Sequence, residues 1–458
     1  MPTKDESHTN IVDTSSATAP RNKWLSRLVI LVRILVGCTF IFSGIVKLID
    51  PMGTMYKIED YMQAFGMSLF GPAAYYAAVF LSIIEFVLGF NALLGSYLRK
   101  TPLFLLIFMA IMTPLTLYLA IANPIPDCGC FGDAITLSNW ATFIKNVILL
   151  TLVIFLVQFN TRTRSVFHRE IQAFIVTWVV IFGLALVYYA HAYSPILDFR
   201  PYKVGTDLAA AYFGDDEAMV EYDFVYERDG KQEIFGIDNL PDESDGWQFV
   251  ERRERSGVTV AHQEKQSADY FVVYDGNDDV TESILSHEGY QFILFSEDLK
   301  NANDDHINKV HELYDYAREY NYPFYAVTAS SPSEIEEWLD NAGGEFSFMF
   351  MDKTTIRTIQ RANPFVMVLK DGVIYHKYYI DHLPSEALLT APVENIATYA
   401  QPEDYREDSR IAIMAVVLLV PILMLYFTER VALFALRRFR RWRKQQREQI
   451  EQIEQINN

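Results

Sequence analysis

The chain has 458 residues, 51% of them hydrophobic, and a mean hydropathy of +0.08. These values are too high for an ordinary soluble protein and too low for a pure membrane bundle, so they indicate apolar spans joined to a polar domain. The formal net charge is −19, and acidic clusters are concentrated in residues 192–409, which argues against nucleic acid as a partner of that region.

Six segments are apolar over about the 20 residues that a membrane-spanning helix requires. They are predicted at 28–48, 74–97, 102–122, 140–158, 171–191 and 410–427. The first follows a polar stretch rich in Ser and Thr, and no small-residue cleavage site comes after it. It is therefore predicted to be an uncleaved span rather than a secretory signal.

Lys and Arg side chains mark the cytoplasmic ends of membrane spans. Basic residues precede the first predicted span, fill the connection between the second and third, and follow the fourth and the sixth, whereas residues 123–139 contain neither Lys nor Arg. This pattern predicts a multi-pass protein of the cytoplasmic (inner) membrane, with both termini cytoplasmic and a periplasmic domain at 192–409. The basic tail is predicted either to fix this topology or to contact a partner helix or anionic lipid.

The periplasmic domain is predicted to begin with a linker and a β-rich segment and to continue as an alternating α/β unit. Its predicted strands are 222–226, 271–274, 291–295, 324–328, 346–351, 365–369 and 373–379. Its predicted helices are 303–320, 333–341, 354–361 and 384–399. From residue 290 the order is β-α-β-α-β-α-β-β-α, which is typical of an open sheet with helices on both faces.

This order resembles a thioredoxin-like domain over residues 290–399, in which a cis-proline lies beside the active thiols. Pro364 directly precedes a predicted strand, so the resemblance implies a cis peptide bond and a substrate-docking groove at this position. Residues 296–303, where thioredoxins carry Cys-x-x-Cys, contain no cysteine, which excludes dithiol exchange in this domain. Either the groove binds an extended peptide by strand addition, or Pro364 only starts a strand.

The membrane half resembles DoxX and MauE proteins over residues 24–158. The residues that carry this resemblance are Arg33, Gly37, Phe42, Ser43-Gly44, Lys47-Leu48, Asp50-Pro51, Glu85, Leu88-Gly89, the block Cys128-Gly129-Cys130-Phe131-Gly132, Trp140 and Asn146. A bundle of this type that carries a cysteine-free thioredoxin-like domain is similar to proteins of Bacteroidota. The resemblance implies disulfide formation outside the cytoplasm and, for the DoxX type, oxidation linked to a quinone cofactor.

The three cysteines are Cys38, Cys128 and Cys130. Cys128 and Cys130 follow the third predicted span on the oxidising side of the membrane, where a disulfide can persist. A bond across one intervening residue closes a small, strained and labile ring, so this pair is the predicted catalytic site for passing electrons to a quinone. The alternative is a tight turn with buried thiols. No metal site is predicted, because two thiolates are too few for zinc.

Arg33, Lys47 and Glu85 are ionisable residues within or at the ends of predicted spans. Such residues are costly in lipid and are expected to face the bundle interior, as a structural ion pair or as a proton or quinone site. The sequence leaves open whether Glu85 pairs with Arg33 or with Lys47, and whether Arg33 extends to the cytoplasmic interface instead. Cys38, within the first predicted span, is predicted to serve packing.

The predicted fold class is multi-domain, an α-helical membrane bundle of six transmembrane helices plus an α/β thioredoxin-like extracytoplasmic domain. The predicted segments are a polar cytoplasmic tail (1–23), a DoxX/MauE-like four-helix bundle (24–158), a fifth transmembrane helix with a basic loop (159–191), a linker and β-rich segment (192–289), the thioredoxin-like domain (290–399), a sixth helix (410–427) and a basic tail (428–458). The predicted function is a quinone-linked thiol–disulfide redox component with a periplasmic docking domain, whose partners are membrane lipid and an extracytoplasmic protein. The alternative is a non-catalytic envelope scaffold or assembly subunit.

Overall fold

The computed structural model describes residues 23–67, 73–125, 129–193, 195–213, 222–228, 231–236, 248–254, 271–396 and 407–457. The chain divides into two compact units. The helical unit comprises Met1–Val187 and Val417–Asn458, and the sheet unit comprises Tyr188–Val416. Both ends of the chain therefore belong to the helical unit.

The α-helices and strands are numbered here in chain order. The α-helices are α1 (Lys23–Ile49), α2 (Pro51–Ala64), α3 (Ala74–Leu94), α4 (Lys100–Ala122), α5 (Asn139–Phe159), α6 (Arg169–Ala192), α7 (Leu208–Phe213), α8 (Thr281–Leu285), α9 (Ile307–Glu319), α10 (Pro332–Ala342), α11 (Lys353–Ile359) and α12 (Glu407–Asn457). The strands are β1 (Tyr222–Arg228), β2 (Lys231–Gly236), β3 (Gln248–Glu254), β4 (Tyr274–Asp275), β5 (Asp278–Asp279), β6 (Tyr290–Ser296), β7 (Phe324–Thr328), β8 (Phe348–Phe350), β9 (Phe365–Lys370) and β10 (Val373–Tyr379).

Six helices in the described part of the chain are long and apolar enough to cross a membrane, namely α1, α3, α4, α5, α6 and α12. Each of the six predicted spans coincides with one of them, so the prediction of several apolar helices is confirmed. The helix α12 runs for 51 residues, well past the predicted end at 427, and includes the basic tail.

The helix α2 was not predicted, because it has 14 residues and too little apolar character for a span. The sequence nevertheless contains a signal for the start of this helix. The side chain of Asp50 accepts a hydrogen bond of 2.9 Å from the backbone N–H of Gly53, and Pro51 occupies the first helical position. An acidic N-cap followed by proline is a common helix start, because it satisfies exposed donors and fixes the backbone.

The helices α1 and α3 approach each other closely at two glycine residues, Gly44 of α1 and Gly89 of α3. A Cβ atom added to Gly44 would lie 2.6 Å from the backbone nitrogen of Phe86, and one added to Gly89 would lie 2.6 Å from that of Ile41. Small residues at a helix crossing let two backbones pack closely, which favours association in an apolar environment. This close crossing brings side chains from the two helices within reach of each other.

The sheet unit contains a seven-stranded mixed sheet in the order β10-β9-β6-β7-β8-β4-β5. The central strands β6, β7 and β8 are parallel, and the remaining pairs are antiparallel. Alternate residues of β6 point to opposite faces, so Phe292 and Leu294 join one hydrophobic core while Ile293 and Phe295 join the other. A separate antiparallel sheet has the order β2-β1-β3.

The predicted order β-α-β-α-β-α-β-β is observed from β6 to β10, but the predicted closing helix at 384–399 is wrong. In the described part of this segment, two 3₁₀ turns occur at Glu386–Leu388 and Val393–Asn395. Pro392 has no N–H to donate and disfavours helical backbone in the residue before it, so a continuous helix cannot form. Residues 397–399 lie outside the described residues.

Two other predicted boundaries shift. The predicted strand 271–274 is a strand only at β4, and Phe271 and Val273 instead fill the core as extended loop residues. The predicted helix 303–320 begins at Ile307, because Asn303 forms a turn in which its side chain accepts a hydrogen bond from the N–H of Asp305. Local side-chain hydrogen bonds therefore replace the first helical turn.

The segment that follows α6 is fastened to the sheet unit by a buried ionic cluster. Lys377 of β10 donates hydrogen bonds to Asp198, at 2.6 Å, and to the carbonyl oxygens of Tyr202 and Ile359. Arg200 binds both carboxylate oxygens of Asp198, at 2.6 and 2.9 Å. Burial raises the pKa of Asp198, but the two cations more than reverse this and hold it below its usual range. Burial lowers the pKa of Lys377 to about 8, although Asp198 opposes this shift.

Candidate functional site

The candidate site in the helical unit begins with a buried ion pair. Lys47 Nζ of α1 lies 2.8 Å from Glu85 Oε1 and 2.9 Å from Glu85 Oε2 of α3. The two side chains are 7% and 6% exposed. The pair answers the question that the sequence left open, because Lys47 is the cationic partner of Glu85.

Ser43 connects this ion pair to the cysteine loop. It lies one helical turn before Lys47, on the same face of α1. Its Oγ is 2.7 Å from Glu85 Oε2 and 2.7 Å from the carbonyl oxygen of Cys130, so its hydroxyl proton can be donated to either acceptor. Lys47 Nζ donates to the same Oγ at 3.3 Å. The backbone of Cys130 is thus held beside a charged, hydrogen-bonded network.

Arg33 is not part of this network. Its guanidinium donates to the carbonyl oxygens of Ala92 and Leu93 at the end of α3, at 3.1 and 3.3 Å, and to Thr163 Oγ1 at 3.1 Å. Lys47 follows Arg33 by fourteen residues, or about 21 Å along a helix. Arg33 therefore satisfies the last carbonyl groups of α3 rather than a quinone or proton site shared with Lys47 and Glu85.

The cysteine loop is described from Gly129 onward, and Cys128 lies outside the described residues. Gly129 has a φ of +60°, and a Cβ atom added there would lie 3.0 Å from Cγ of Lys57 on α2. The loop thus packs against α2. Cys38, which was predicted to serve packing, is exposed on α1.

A cavity of about 210 Å³ lies beside the cysteine loop in the helical unit. Its described lining includes Cys130, Ser43, Lys47 and Glu85. The other residues that line it are Thr39, Phe40, Thr54, Lys57, Ile58, Tyr61, Leu81, Phe108, Met109, Met112, Leu115, Thr116, Leu119, Gly129, Phe131, Lys145, Asn146 and Leu149. Three of the five candidate redox and charged residues predicted from the sequence, Cys130, Lys47 and Glu85, therefore line one largely apolar cavity.

Residues that the sequence analysis did not single out complete this cavity. One face of α2 contributes Thr54, Lys57, Ile58 and Tyr61, which follow helical spacing. Lys145 reaches it from α5, with Nζ 4.2 Å from the centroid of the Phe131 ring. The available signal for Lys145 was a charged residue inside an apolar span.

Pro364 lies in the sheet unit, where the Asn363-Pro364 bond is cis, as the resemblance implied. Pro364 is buried. Asn363 accepts a hydrogen bond of 3.0 Å from the backbone N–H of Asn303 through its carbonyl, and its side chain bonds Ser296 Oγ and the carbonyl oxygen of Asp298, each at 2.7 Å. Asn363 therefore fixes the loop after β6, and its backbone carbonyl beside the proline is already bonded to the N–H of Asn303.

Metal binding was not predicted for this chain. In the part of the chain that the structure describes, no three His, Cys, Asp or Glu residues are grouped closely enough to hold a metal ion.

Comparison with known families bears on the segment that forms the cavity. The family model of methylamine utilisation protein MauE matches residues 25–159, which cover α2 to α5 and all but the first two residues of α1. This segment is MauE-like. With its apolar helices, the match indicates a multi-pass, MauE-like membrane protein. A second family model, a domain of unknown function (DUF8463), matches residues 220–256, the region of the small sheet.

A curated relative gives a weaker similarity. Protein TlpB of Flavobacterium psychrophilum is 28% identical over 161 residues, which cover 34% of this chain and 43% of that protein. The chain thus spans less than half the length of this relative. No solved structure matches the chain.

Proposed function

We propose that the MauE-like protein is a membrane thiol–disulfide redox component, in which Cys128 and Cys130 pass electrons to a quinone in the cavity of the helical unit. The observation that carries this proposal is the position of Cys130. It lines a largely apolar cavity and is tied through its carbonyl oxygen to Ser43 and the Lys47–Glu85 pair. The match to the MauE family over the same helices supports the assignment to a membrane protein.

The cavity fits a single quinone ring. Its volume is about 210 Å³, and an apolar cavity of roughly 150 Å³ is enough to bind a benzene ring. Leu, Met and Phe supply nine of its 22 described lining residues, and Ser43, Lys47 and Glu85 are among those that supply polar groups. Binding sites for ring-shaped cofactors commonly combine apolar walls with a few polar groups that set the orientation.

The proposed reaction oxidises two thiols to one disulfide, with release of two electrons and two protons. A quinone bound in the cavity is the acceptor of both electrons and both protons, and the product is the hydroquinone. The role of the chain is to hold the cysteine loop at the cavity and to offer groups that exchange protons. Ser43 holds the loop through the Cys130 carbonyl, and Glu85 presents a carboxylate next to the Ser43 hydroxyl.

The proposed location is the inner membrane, with both termini cytoplasmic and the sheet unit in the periplasm. The distribution of Lys and Arg around the six apolar helices supports this orientation. It puts the cysteine loop on the oxidising side, where a disulfide can persist.

The sheet unit is proposed to be thioredoxin-like and to dock an extracytoplasmic protein that carries the thiols. Its mixed sheet and its β-α-β-α-β-α-β-β order support this proposal. A photo-crosslinking residue at exposed Asn303, beside Asn363, should trap a thiol-containing protein in cells. The same residue at exposed Glu336 of α10 serves as the control. Equal trapping at both positions would contradict docking beside Pro364.

The redox proposal is tested with full-length protein in lipid nanodiscs. A dithiol reductant and decylubiquinone are added, and quinone reduction is followed by absorbance. We expect Cys128→Ser and Cys130→Ser each to abolish the protein-dependent rate, and Cys38→Ser, exposed on α1, to leave it unchanged. A double variant that lacks both loop cysteines and keeps the full rate would contradict the proposal and favour the scaffold alternative.

A further inference from the structure

Lys145 is a charged residue that the redox proposal does not yet use. It is the seventh residue of α5, and its neighbours Ile144, Val147 and Ile148 are exposed on the outer surface of this apolar helix. Its Nζ points instead over the ring of Phe131, in the loop that follows Cys130, at 4.2 Å from the ring centroid. Lys145 thus reaches the cavity from the side of α5.

No carboxylate in the part of the chain that the structure describes neutralises the charge of Lys145. Among the described residues, none lies within ion-pair distance of its Nζ, and the ring of Phe131 is its contact. Lys47, by comparison, is held by Glu85 at 2.8 Å. An ionisable side chain in an apolar span is costly, so it is normally paired or placed at a functional pathway.

The described lining of the cavity has an excess of positive charge. Its charged side chains are Lys47, Lys57, Lys145 and Glu85; Lys47 and Glu85 pair with each other, and Lys145 adds a positive charge that no described carboxylate pairs. In a largely apolar space, such an excess favours a ligand that carries or gains negative charge. Glu85 is already paired with Lys47. The contact of Lys145 is instead the uncharged ring of Phe131.

We propose that Lys145 is the ligand-binding cation of the cavity and contacts a ring oxygen of the quinone. This inference rests on the proposed function and names the residue that selects the ligand. As the ring takes up two electrons and two protons from the two cysteine thiols, electron density grows on its oxygens. A fixed ammonium group beside one oxygen stabilises that change and holds the ring in the cavity.

The neighbouring residue on α5 has a structural role that makes a useful contrast. Asn146 is buried, and its Nδ2 donates to Thr116 Oγ1 of α4 at 3.2 Å. It therefore fixes α5 against α4, whereas Lys145 makes no such link. Replacing Lys145 by methionine keeps the length and apolar character of its stem, so the helices should still pack.

The test measures binding of decylubiquinone to full-length protein in nanodiscs, by equilibrium titration, together with kcat and KM for quinone reduction. A hydrogen bond to a charged group predicts that Lys145→Met raises Kd and KM roughly 10-fold to 100-fold. Lys145→Arg keeps a cation at this position and should stay within about threefold of wild type. Lys100→Met removes an exposed lysine at the start of α4, outside the described lining, and should leave Kd unchanged.

The outcomes separate the two proposals. If wild type binds and reduces decylubiquinone and Lys145→Met does so with unchanged Kd and KM, the charge of Lys145 does not hold the quinone, and this inference fails while the redox proposal stands. If wild type binds no quinone, both fail. If Lys145→Met lowers kcat alone and Lys145→Arg does not restore it, contact with the ring oxygen in the bound state is also contradicted.

Discussion

Lys47 and Glu85 form an ion pair inside the helical unit, with Nζ at 2.8 and 2.9 Å from the two carboxylate oxygens. The pair joins α1 to α3, and through Ser43 it reaches the carbonyl oxygen of Cys130. One interaction therefore serves both the packing of two helices and the position of the cysteine loop. This double role lets stability and activity be tested with the same variants.

The first prediction concerns this ion pair. Glu85→Gln leaves the buried Lys47 charge without its counterion, and breaking such a pair costs about 3–5 kcal/mol of unfolding free energy. Unfolding in detergent by a denaturant series measures the change. The double variant Lys47→Met with Glu85→Met removes both charges and should recover most of the loss. Equal stability of Glu85→Gln and wild type would show that the pair adds no stability.

The second prediction concerns the crossing of α1 and α3. Gly44→Ala places a methyl group 2.6 Å from the backbone nitrogen of Phe86, where no side-chain movement can relieve the contact. We expect a loss of about 1–3 kcal/mol in unfolding free energy, typical of overpacking. Gly183→Ala in α6 is the matched control, because its nearest contact is Leu48 Cδ1 at 3.4 Å. A control that loses as much as Gly44→Ala would contradict the close crossing.

The third prediction concerns Arg33, which holds the end of α3. Arg33→Lys keeps the charge but cannot reach the Ala92 carbonyl and Thr163 together with one planar fork. We expect about 1–3 kcal/mol of lost stability, the cost of leaving buried acceptors unsatisfied. Quinone Kd should remain unchanged in Arg33→Lys, measured in nanodiscs, because Arg33 lies away from the cavity. A raised quinone Kd with an unchanged free energy of unfolding would instead assign Arg33 to the quinone site.

The fourth prediction is a pH dependence in the sheet unit. The Asp198 carboxyl has a folded-state pKa held below 3.8 by Arg200 and Lys377, against the effect of burial. An acid with a lowered folded pKa stabilises the fold above the unfolded value, and this stability is lost as the pH falls below about 4. Asp198→Asn should lower the free energy of unfolding by about 3 kcal/mol at pH 7. It should also weaken the loss of stability at acidic pH.

Hydrogen exchange of the full-length protein, read at the amides of β9 and β10, measures this effect at several pH values. Exchange should accelerate in wild type as the pH falls through this range, after correction for the intrinsic rate. Asp279→Asn, at an exposed position in β5, is the control. The same acid limb in Asp198→Asn and wild type would contradict the assignment to Asp198.

Much of the fold is readable from the sequence because its signals are local. Long apolar runs predict α1 and α3 to α6, and the strands β6 and β10 follow from short-range patterns. Where the sequence prediction fails, a local signal in the sequence overrides the hydrophobic pattern on which the prediction rests. Pro392 interrupts the predicted closing helix, and the Asp50-Pro51 pair starts α2 at a place without a long apolar run.

The site is less predictable because it depends on how helices cross. Arg33 and Lys47 lie fourteen residues apart on α1, or nearly four helical turns, so they share one face and are equally plausible partners for Glu85 by sequence. The register of α1 against α3, set by the glycine contacts, selects Lys47. Lys145 joins the cavity from α5 through a loop contact with Phe131, which no spacing along the chain encodes.

The central claim is that Cys128 and Cys130 deliver electrons to a quinone. The most direct measurement is their thiol state in living cells, by acid trapping and alkylation, with quinone supply intact and then depleted, and with Cys38→Ser as the background. The account predicts an oxidised pair that becomes reduced when quinone is depleted. A pair that keeps one thiol state under both conditions would contradict it.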